Sequence, residues 1–367
     1  MKVQKVRFEH FGGLIATDEP ATLVWVDRDY LRTRGFDGGA VWEGTDPGYL
    51  SGPVEVEIAI TTRCNLRCPC CYTSAERGGR DVPLKAVVRA LDAAARAGAF
   101  HVAFGGGEPL IHPDLLHMGR AARERLLPSF TTNGRLVTPR WARQARGVFS
   151  RVNVSIDLPG GPRDPQMPLA ESLDAVRTLV DAGITCGCNL ILTEGIVSQL
   201  DRAFLEVSRA GADSVMLLGA KPSGRGKDEY EKMRLSVETQ AALLPRLLEL
   251  SDADNLPFHL DCALAPLLLT SPIPRRRLEA LGAYACIAGD LLATVDPEGM
   301  VHPCSHLDFT VGRVENLPAL WDDDAAWGAF RDRGSRLSGK CSGCGVRDLC
   351  RGGCAVVNSY YGLGLDQ

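Results

Sequence analysis

Three closely spaced cysteines are the residues whose types and spacing point most directly to chemistry. Cys64, Cys68 and Cys71 stand in the loop CNLRCPCCY, directly after a segment of alternating apolar residues. Each iron of a four-iron, four-sulfur cube usually takes one cysteine thiolate, so three cysteines leave one iron able to bind a small molecule. Related short motifs bind zinc or carry out thiol redox chemistry, and the cysteines alone do not exclude those functions.

A glycine-rich turn lies downstream of the cysteine loop, where residues 104–109 read FGGGEP. Its glycines expose backbone N–H groups, and Glu108 supplies a carboxylate able to hold an ammonium group. Together with the three cysteines and Tyr72, this turn resembles the radical S-adenosylmethionine (radical SAM) enzymes. The resemblance implies that the methionyl amine and carboxylate of SAM chelate the open iron. The residues that it implies around the methionyl end are Tyr72, Gly106, Gly107, Glu108 and Pro109.

The composition and charge of the chain exclude several classes of function. The chain has 367 residues, 45% of them hydrophobic, which indicates two domains or one large domain with an extension. The formal net charge of -4 gives no field that would attract nucleic acid or an anionic membrane. We find no signal peptide and no apolar run of membrane-spanning length, so we expect a cytoplasmic protein. Thirteen cysteines in that reducing compartment indicate metal ligands rather than disulfides.

Strand and helix patterns alternate along the middle of the chain. Six strands are predicted at 54–60, 101–104, 129–132, 151–156, 185–192 and 214–218, and helices at 84–91, 172–182 and 199–210. Strands that recur with helices between them predict an α/β fold, and six such units fit a partial (β/α)6 TIM-like barrel. A barrel of this kind has its active site at the carboxyl ends of its strands.

Polar loops follow the ends of these strands and are expected to converge on one mouth. In the resembled family, polar residues that end the fourth strand reach the ribose of SAM, and the turn after the sixth strand lies near the adenine. The alternative is that Asp157 and Asn133 merely cap helices or close turns. The cofactor-binding candidates at this mouth are Asn133, Ser155, Asp157, Asn189, Pro222 and Gly224.

A second group of cysteines lies near the C-terminus. Cys286 and Cys304 flank Gly299, and four more follow with the spacing C-x2-C-x5-C-x3-C. Such pairs serve zinc ribbons as well as iron-sulfur clusters. Beside a radical SAM core, this order of spacings resembles the SPASM extension, whose members carry auxiliary iron-sulfur clusters in peptide- or protein-modifying enzymes. The implied ligands are Cys341, Cys344 and Cys350 for one cluster, and Cys286, Cys304 and Cys354, with Cys262 as the nearest fourth candidate, for the other.

The chain departs from the full SPASM pattern in one respect. A further cysteine belongs after the last of these, whereas this chain ends thirteen residues past Cys354 without one. One auxiliary cluster then has a ligand other than cysteine or an open iron, or the chain is truncated. Cys262 could equally be a small buried hydrophobe. Cys70, Cys186 and Cys188 match no ligand position, and we expect core packing for them.

The resemblance also implies an activity and a domain arrangement. A reduced cluster cleaves SAM, and the resulting 5′-deoxyadenosyl radical removes hydrogen from a substrate. Similarity to SPASM enzymes implies oxidative crosslinking or dehydrogenation of a ribosomally made peptide, with flavodoxin or ferredoxin as the electron donor. We expect a β-rich extension over 1–50, a radical SAM core over 51–260 and a SPASM-like domain over 261–367. Position alone motivates a peptide-docking role for the extension, and no catalytic side chain is predicted.

Two alternatives remain open. Within the family, some members oxidise a Ser or Cys of a sulfatase, but these place an Asp directly after the cysteine that corresponds to Cys304. This chain has Ser305 there and His306 next. The absence of this Asp argues against oxidation of a sulfatase, but it does not exclude dehydrogenation of another alcohol. The alternative of a different class is an iron-sulfur or zinc protein that carries out no catalysis.

Overall fold

A three-stranded antiparallel sheet forms the N-terminal extension of the computed structural model, which describes residues 3–17, 20–265, 267, 273–280 and 284–363. Leu14 and Ala16 pack against Phe100 and Leu127, next to the amino ends of two strands of the main sheet. The extension therefore lies at the amino ends of those strands, whereas the cysteine loop follows the carboxyl end of a strand. Its elements are β1 (Val3–Glu9), β2 (Gly12–Thr17), β3 (Thr22–Asp27), α1 (Arg28–Thr33) and α2 (Ala40–Glu43).

The six predicted strands are all present and run parallel in sequence order, which confirms the α/β class of the fold. Val56, Ile58 and Ile60 are almost fully buried on one face, whereas Glu57 and Ala59 alternate with them and face the other side. The strands are β4 (Glu55–Thr61), β5 (His101–Gly106), β6 (Leu127–Thr132), β7 (Arg151–Ile156), β8 (Cys186–Leu192) and β9 (Val215–Gly219).

The same sheet continues beyond these six strands at both ends. The short β10 (Phe258–Leu260) pairs in parallel with β9, and β11 (Leu292–Val295) pairs in parallel with β4. β12 (Met300–His302) and β13 (Gly312–Arg313) follow antiparallel to them. Both edges of the sheet, at β10 and β13, are free of further strands within the described residues, so the barrel is open. Because the predicted core and the predicted C-terminal domain share this sheet, their boundary at residue 260 stays a prediction.

Helices connect successive strands and cover the apolar face. The helix after β4 begins behind Pro83 and buries Val87, Leu91 and Ala94 against the sheet. Its apolar residues recur at helical spacing, which is why this segment forms an amphipathic helix. The helices are α3 (Leu84–Arg96), α4 (Leu115–Arg123), α5 (Pro139–Ala145), α6 (Leu169–Asp181), α7 (Glu194–Val197), α8 (Leu200–Arg209), α9 (Gly226–Met233) and α10 (Val237–Asp254).

Short helices make up most of the C-terminal region. The indoles of Trp321 and Trp327 are buried with ring centroids 5.1 Å apart, and the Arg331 guanidinium lies 3.9 Å from the centre of the Tyr49 ring. These contacts attach the region to the segment that precedes β4. In the part of the chain that the structure describes, no helix has the length and apolarity needed to cross a membrane. The helices are α11 (Arg275–Ala280), α12 (Leu317–Trp321), α13 (Asp324–Arg331), α14 (Arg333–Arg336), α15 (Arg347–Cys350) and α16 (Ala355–Tyr360).

Candidate active site and cysteine clusters

The cysteine loop after β4 is held in place by two residues that are distant in sequence. Arg225 donates from its backbone N–H to the Cys71 carbonyl (2.9 Å) and from Nε to the Cys68 carbonyl (3.1 Å). The Asp164 carboxylate accepts from the Arg67 N–H at 2.8 Å, and the Asp164 N–H points at the Cys68 sulfur at 3.4 Å. These bonds fix the backbone around the thiols before any metal is considered, and sequence reasoning identified neither Arg225 nor Asp164.

Two of the predicted glycines are needed because other loops pack directly on the cysteine loop. A Cβ at Gly107 would lie 2.0 Å from the Arg63 carbonyl oxygen. Gly224 has a φ of +52°, and a Cβ there would lie 2.4 Å from the Tyr72 carbonyl oxygen. Both approaches exclude any side chain. The turn at 105–108 and the turn at 222–224 therefore meet the cysteine loop at the mouth where they were predicted to converge.

Glu108 makes contacts that its motif did not reveal, and its role in holding an ammonium group stays a prediction. It is buried, and its oxygens accept from the Thr132 hydroxyl (2.7 Å), the Leu110 N–H (3.0 Å) and the Asn133 N–H (2.8 Å). Burial raises the pKa of this carboxyl, and the three donors oppose that shift. Glu108 therefore ties the glycine turn to the end of β6, and the backbone of the turn is the part that faces the cysteine loop.

Asp157 and Asn133 make the contacts that the turn-closing alternative predicts. The Asp157 carboxylate accepts from the Leu158 N–H (3.0 Å) and the Arg163 N–H (2.8 Å), which closes the loop after β7. Asn133 Oδ1 accepts from the Arg135 N–H at 3.0 Å. Its Nδ2 also donates to Asn65 of the cysteine loop at 2.7 Å. Asp157 thus shapes a loop, while Asn133 both closes a turn and contacts the predicted cluster site.

Ser155 and Asn189 lie side by side on the inner face of the sheet. They are directly opposite each other in the parallel register of β7 and β8. Asn189 Nδ2 lies 3.4 Å from the Thr131 hydroxyl of β6, so three neighbouring strands contribute polar groups to this point. Pro222 is buried in the turn that follows β9. The structure therefore keeps these candidates together, and their contacts to SAM stay predictions.

A cavity of about 180 Å³ lies between the cysteine loop and the C-terminal strands. The Tyr72 ring stacks on His306 with centroids 4.4 Å apart, and the Tyr72 hydroxyl lies 3.3 Å from the Glu57 carboxylate. Ser305 also lines this cavity and acts on the carboxyl of Glu57, whose pKa is raised because the carboxyl is buried. The cavity is lined by Glu57, Ala59, Tyr72, Thr73, Gly106, Thr294, Val295, Asp296, Pro297, His302, Cys304, Ser305 and Leu307.

Glu57 and His306 were not predicted as functional residues. The sequence does carry a signal for Glu57. A charged residue at an inward-facing position of a strand is unusual, and Ala59, the next inward-facing position, is small and apolar. His306 stacks on Tyr72, although the two residues are more than two hundred positions apart in the sequence. No local sequence pattern predicts this contact.

Four C-terminal cysteines converge beside this cavity. Cys262, Cys286 and Cys304 belong to one small cluster of packed side chains. Cys262 lies close enough to Cys286 and Cys354 to lower the pKa of both thiols. Cys304 lies within electrostatic range of Cys286 and Cys354. We call Cys262, Cys286, Cys304 and Cys354 the buried set; it includes Cys262, whose role the sequence left open.

Three further cysteines lie together nearer the surface. Cys341 is exposed, Cys344 and Cys350 are half-buried, and the charges of Cys341 and Cys344 act on Cys350. We call Cys341, Cys344 and Cys350 the outer set. Cys344 also lines a cavity of about 580 Å³ whose walls carry Arg275, Arg331, Arg347 and Arg351. Among the described residues no other cysteine joins this set. The identity of a fourth ligand to its predicted cluster therefore stays open.

The remaining cysteines are packed in apolar surroundings. Cys186 and Cys188 are buried in the main core, and Cys70 packs against Tyr230 and Met233. All thirteen cysteines are free thiols. The buried and outer sets offer thiol sulfurs and cationic neighbours, a donor chemistry that fits iron-sulfur clusters. In the described residues, no three Cys, His, Asp or Glu side chains surround a single-ion position.

Two family profiles match the chain in the regions just described. The profile of the radical SAM superfamily matches residues 58–197, which include the cysteine loop and β5 to β8. The profile of SPASM, an iron-sulfur cluster-binding domain, matches residues 286–345. Together, these domains imply SAM and [4Fe–4S] clusters as cofactors.

Individual relatives span most of the chain. Mycofactocin maturase MftC of Mycolicibacterium smegmatis is 28% identical over 335 residues, which are 86% of this chain and 82% of MftC. Pre-heme d1 synthase of Dinoroseobacter shibae is 29% identical over 324 residues, covering 80% and 79%. The structure of Streptococcus suis SuiB bound to S-adenosylmethionine superposes with a TM-score of 0.72 at 18% identity, over 97% of this chain and 96% of SuiB. SuiB bound to precursor peptide SuiA superposes with a TM-score of 0.72. The chain carries a radical SAM domain over residues 58–197 and a SPASM domain over residues 286–345.

Proposed function

We propose that the protein is a radical SAM maturase that oxidatively modifies a side chain of a ribosomally made peptide, by crosslinking or dehydrogenation. The observation that carries this proposal is the position of the 180 Å³ cavity. Its lining includes Tyr72 and Gly106, which belong to the predicted SAM site, and also Cys304 of the buried set. A side chain in this cavity would contact both sites.

The residues that would hold the cofactors follow from these groupings. Cys64, Cys68 and Cys71 would ligate the SAM-binding cluster, and the buried set and the outer set would ligate two auxiliary clusters. Bound together, SAM and the first cluster supply a radical that removes a hydrogen atom from an unactivated carbon. The protein itself orients the cofactor and excludes water. Arg225 and Asp164 hold the cysteine loop in place, and the Tyr72 ring, which stacks on His306, lines the cavity.

Glu57 is the side chain best placed to take up a proton from the substrate. Oxidative modification removes a proton as well as electrons, so a base is needed beside the reacting carbon. Related enzymes that oxidise alcohols place an Asp directly after the cysteine that corresponds to Cys304, and this chain has Ser305 there. Ser305 and Glu57 line the same cavity, so a carboxylate reaches this place from β4. A raised pKa suits a base that works near neutral pH.

A peptide substrate is supported by the relatives and by the size of the cavity. MftC is named a maturase, and SuiB has been solved with precursor peptide SuiA. The pre-heme d1 synthase relative points to tetrapyrroles instead. Drug-sized ligands occupy pockets of roughly 300 to 1,000 Å³. The cavity here has a volume of about 180 Å³, which fits one amino-acid side chain better than a tetrapyrrole.

The decisive experiment uses the anaerobically reconstituted holoenzyme with dithionite, SAM and synthetic copies of the peptides that any short open reading frames beside its gene would encode. We expect 5′-deoxyadenosine and a peptide lighter by two hydrogens, which mass spectrometry detects. The matched control is the variant in which Cys64, Cys68 and Cys71 are all replaced by Ala, which should form neither product. Formation of 5′-deoxyadenosine with an unmodified peptide, together with turnover of a tetrapyrrole, would overturn the peptide assignment. A colourless protein that binds zinc and leaves SAM intact would overturn the catalytic assignment.

We also propose a cellular setting. The SAM-binding cluster must be reduced by one electron before each reaction, and flavodoxin or ferredoxin is the class of protein that delivers it. Thirteen free thiols and oxygen-sensitive clusters need a reducing compartment, which supports a cytoplasmic location. Reduction by a purified flavodoxin system in place of dithionite would test the first of these statements.

A further inference from the structure

Lys221 is a buried cation that no part of the proposed mechanism uses. It follows β9 directly and begins the turn that contains Pro222 and Gly224. Its side chain is 12% exposed and pairs with Asp261, whose side chain is 11% exposed. The contact with the Asp261 carboxylate favours the charged form of the Lys221 ammonium group. Lys221 is therefore a permanent positive charge.

The Lys221–Asp261 pair is built into the loop that presents Cys262. Asp261 Oδ1 accepts from the Ala263 N–H at 2.8 Å and from the Gly219 N–H at 3.2 Å. The first bond caps the short 3-10 helix Cys262–Leu264, and the second ties that helix to the end of β9. The carboxylate therefore fixes the ammonium group and the ligand loop relative to each other.

The ammonium group of Lys221 acts on most of the buried set. It lies within electrostatic range of Cys262, Cys304 and Cys354. The fourth member, Cys286, interacts instead with the cation of Arg333 and the carboxylate of Asp290. Lys221 is thus the cation shared by three of the four thiols.

We propose that Lys221 is a positioning residue that raises the reduction potential of the cluster held by the buried set, so that this cluster can accept an electron from the substrate. The inference rests on the proposed function only in requiring a cluster at these four cysteines. It assigns a role to a residue that binds neither metal nor substrate.

The physical reason is the charge difference between the two redox states. Reduction adds one negative charge to a cluster that four thiolates already make anionic. A fixed cation in a low-dielectric interior stabilises the reduced state more than the oxidised state. Reduction potentials of iron-sulfur clusters respond to net charge and burial in this way. Asp261 opposes part of this effect, so the two charges should shift the potential in opposite directions.

The test is a potentiometric titration of the holoenzyme followed by electron paramagnetic resonance. The signal of the buried set is identified as the one that Cys304→Ala removes. Lys221→Met should lower the midpoint potential of this signal by 59 mV or more, a tenfold change in the ratio of oxidised to reduced cluster. Lys221→Arg keeps the charge and should stay close to wild type. Lys232→Met removes an exposed lysine from α9 and is the matched control.

Asp261→Asn supplies a prediction of opposite sign. Asparagine retains the oxygen that accepts from the N–H groups of Ala263 and Gly219, so the loop should keep its shape while the ammonium group loses its counter-charge. We expect its midpoint potential above that of wild type. Equal potentials in wild type, Lys221→Met and Asp261→Asn, with unchanged iron content, would overturn the role of Lys221. If the Cys304→Ala variant kept every signal of the wild type, the assignment of a cluster to these four cysteines would be overturned instead.

Discussion

The buried set and the outer set of cysteines are assembled in different ways. The buried set takes its thiols from residues 262–354, each from a different part of the chain; Cys286 and Cys354 are buried, and Cys262 and Cys304 are half-buried. The outer set takes its thiols from residues 341–350, which cover the end of one short helix, the turn after it and the next short helix. Cys341 is exposed. The buried set can form only when the whole C-terminal region has folded, and it shares a wall with the cavity. From this difference we infer that the buried set serves the substrate, and we expect the outer set to face an external electron donor.

The largest effect is expected from Cys304→Ala. This change removes a ligand from the buried set and part of the cavity wall. We expect loss of about four irons per chain and of all detectable oxidised peptide, while dithionite-driven cleavage of SAM continues. Iron analysis, product mass and 5′-deoxyadenosine yield measure these three outcomes. Wild-type amounts of oxidised peptide would show that the buried set has no part in the reaction.

Glu57→Gln should lower the rate of peptide oxidation by about 100-fold, at the low end of the effect of losing a general base. The cluster sites should keep their iron, because Glu57 is no ligand. The carboxyl must be ionised to accept a proton, and its raised pKa moves this requirement to higher pH. The wild-type rate should therefore fall on acidification from neutral pH, and this limb should be absent in the variant.

Glu55→Gln is the matched control for Glu57. It lies two residues earlier on the same strand, outside the cavity lining, and bonds to His101 at 2.7 Å. We expect its oxidation rate within a few-fold of wild type. Equal losses in both variants would mean that the strand, rather than the carboxyl in the cavity, explains the effect.

Cys341→Ala is expected to have a smaller effect that depends on the electron source. With flavodoxin, peptide oxidation should slow several-fold, because the outer set lies at the surface beside a cavity lined by arginines. With dithionite, a small reductant that reaches every cluster, the rate should stay near wild type. A deficit of the same size with both reductants would contradict the difference in role between the two sets.

Cys186→Ala should have the smallest effect. Cys186 is buried in the main core, away from both sets, and behaves as a small apolar side chain. We expect a loss of about 1 kcal/mol in the free energy of unfolding, with unchanged iron content and unchanged activity. Denaturant titration and iron analysis measure both quantities, and a loss of iron would move Cys186 into the list of ligands.

The main sheet was predictable because its pattern is local. Alternation of apolar residues placed all six central strands, and the glycine turn and the cysteine loop were found next to the correct strand ends. The strand Phe258–Leu260 was missed because a segment of three residues is too short to show a recognisable alternation of apolar and polar residues. The pairing of β11 with β4 was missed because it joins distant segments, which composition and periodicity do not encode.

The site was only partly predictable for a similar reason. The cysteine spacings carry enough information to identify the three groups of thiols. The contacts that define the cavity do not: Tyr72 meets His306, and Glu57 meets Ser305, only after the C-terminal region packs on the sheet. The role of Glu108 in holding an ammonium group stays a prediction, and its hydrogen bonds to Thr132 and Asn133 are contacts that its motif did not reveal.

The parallel pairing of β11 with β4 has a practical consequence for anyone who divides this chain. Cutting after residue 260 would leave one edge of β4 unpaired, the edge that faces β11, on the strand that leads into the cysteine loop. Bare strand edges recruit other chains and aggregate. The two segments should therefore be produced as a single polypeptide, or co-expressed so that β11 can complement β4 during folding.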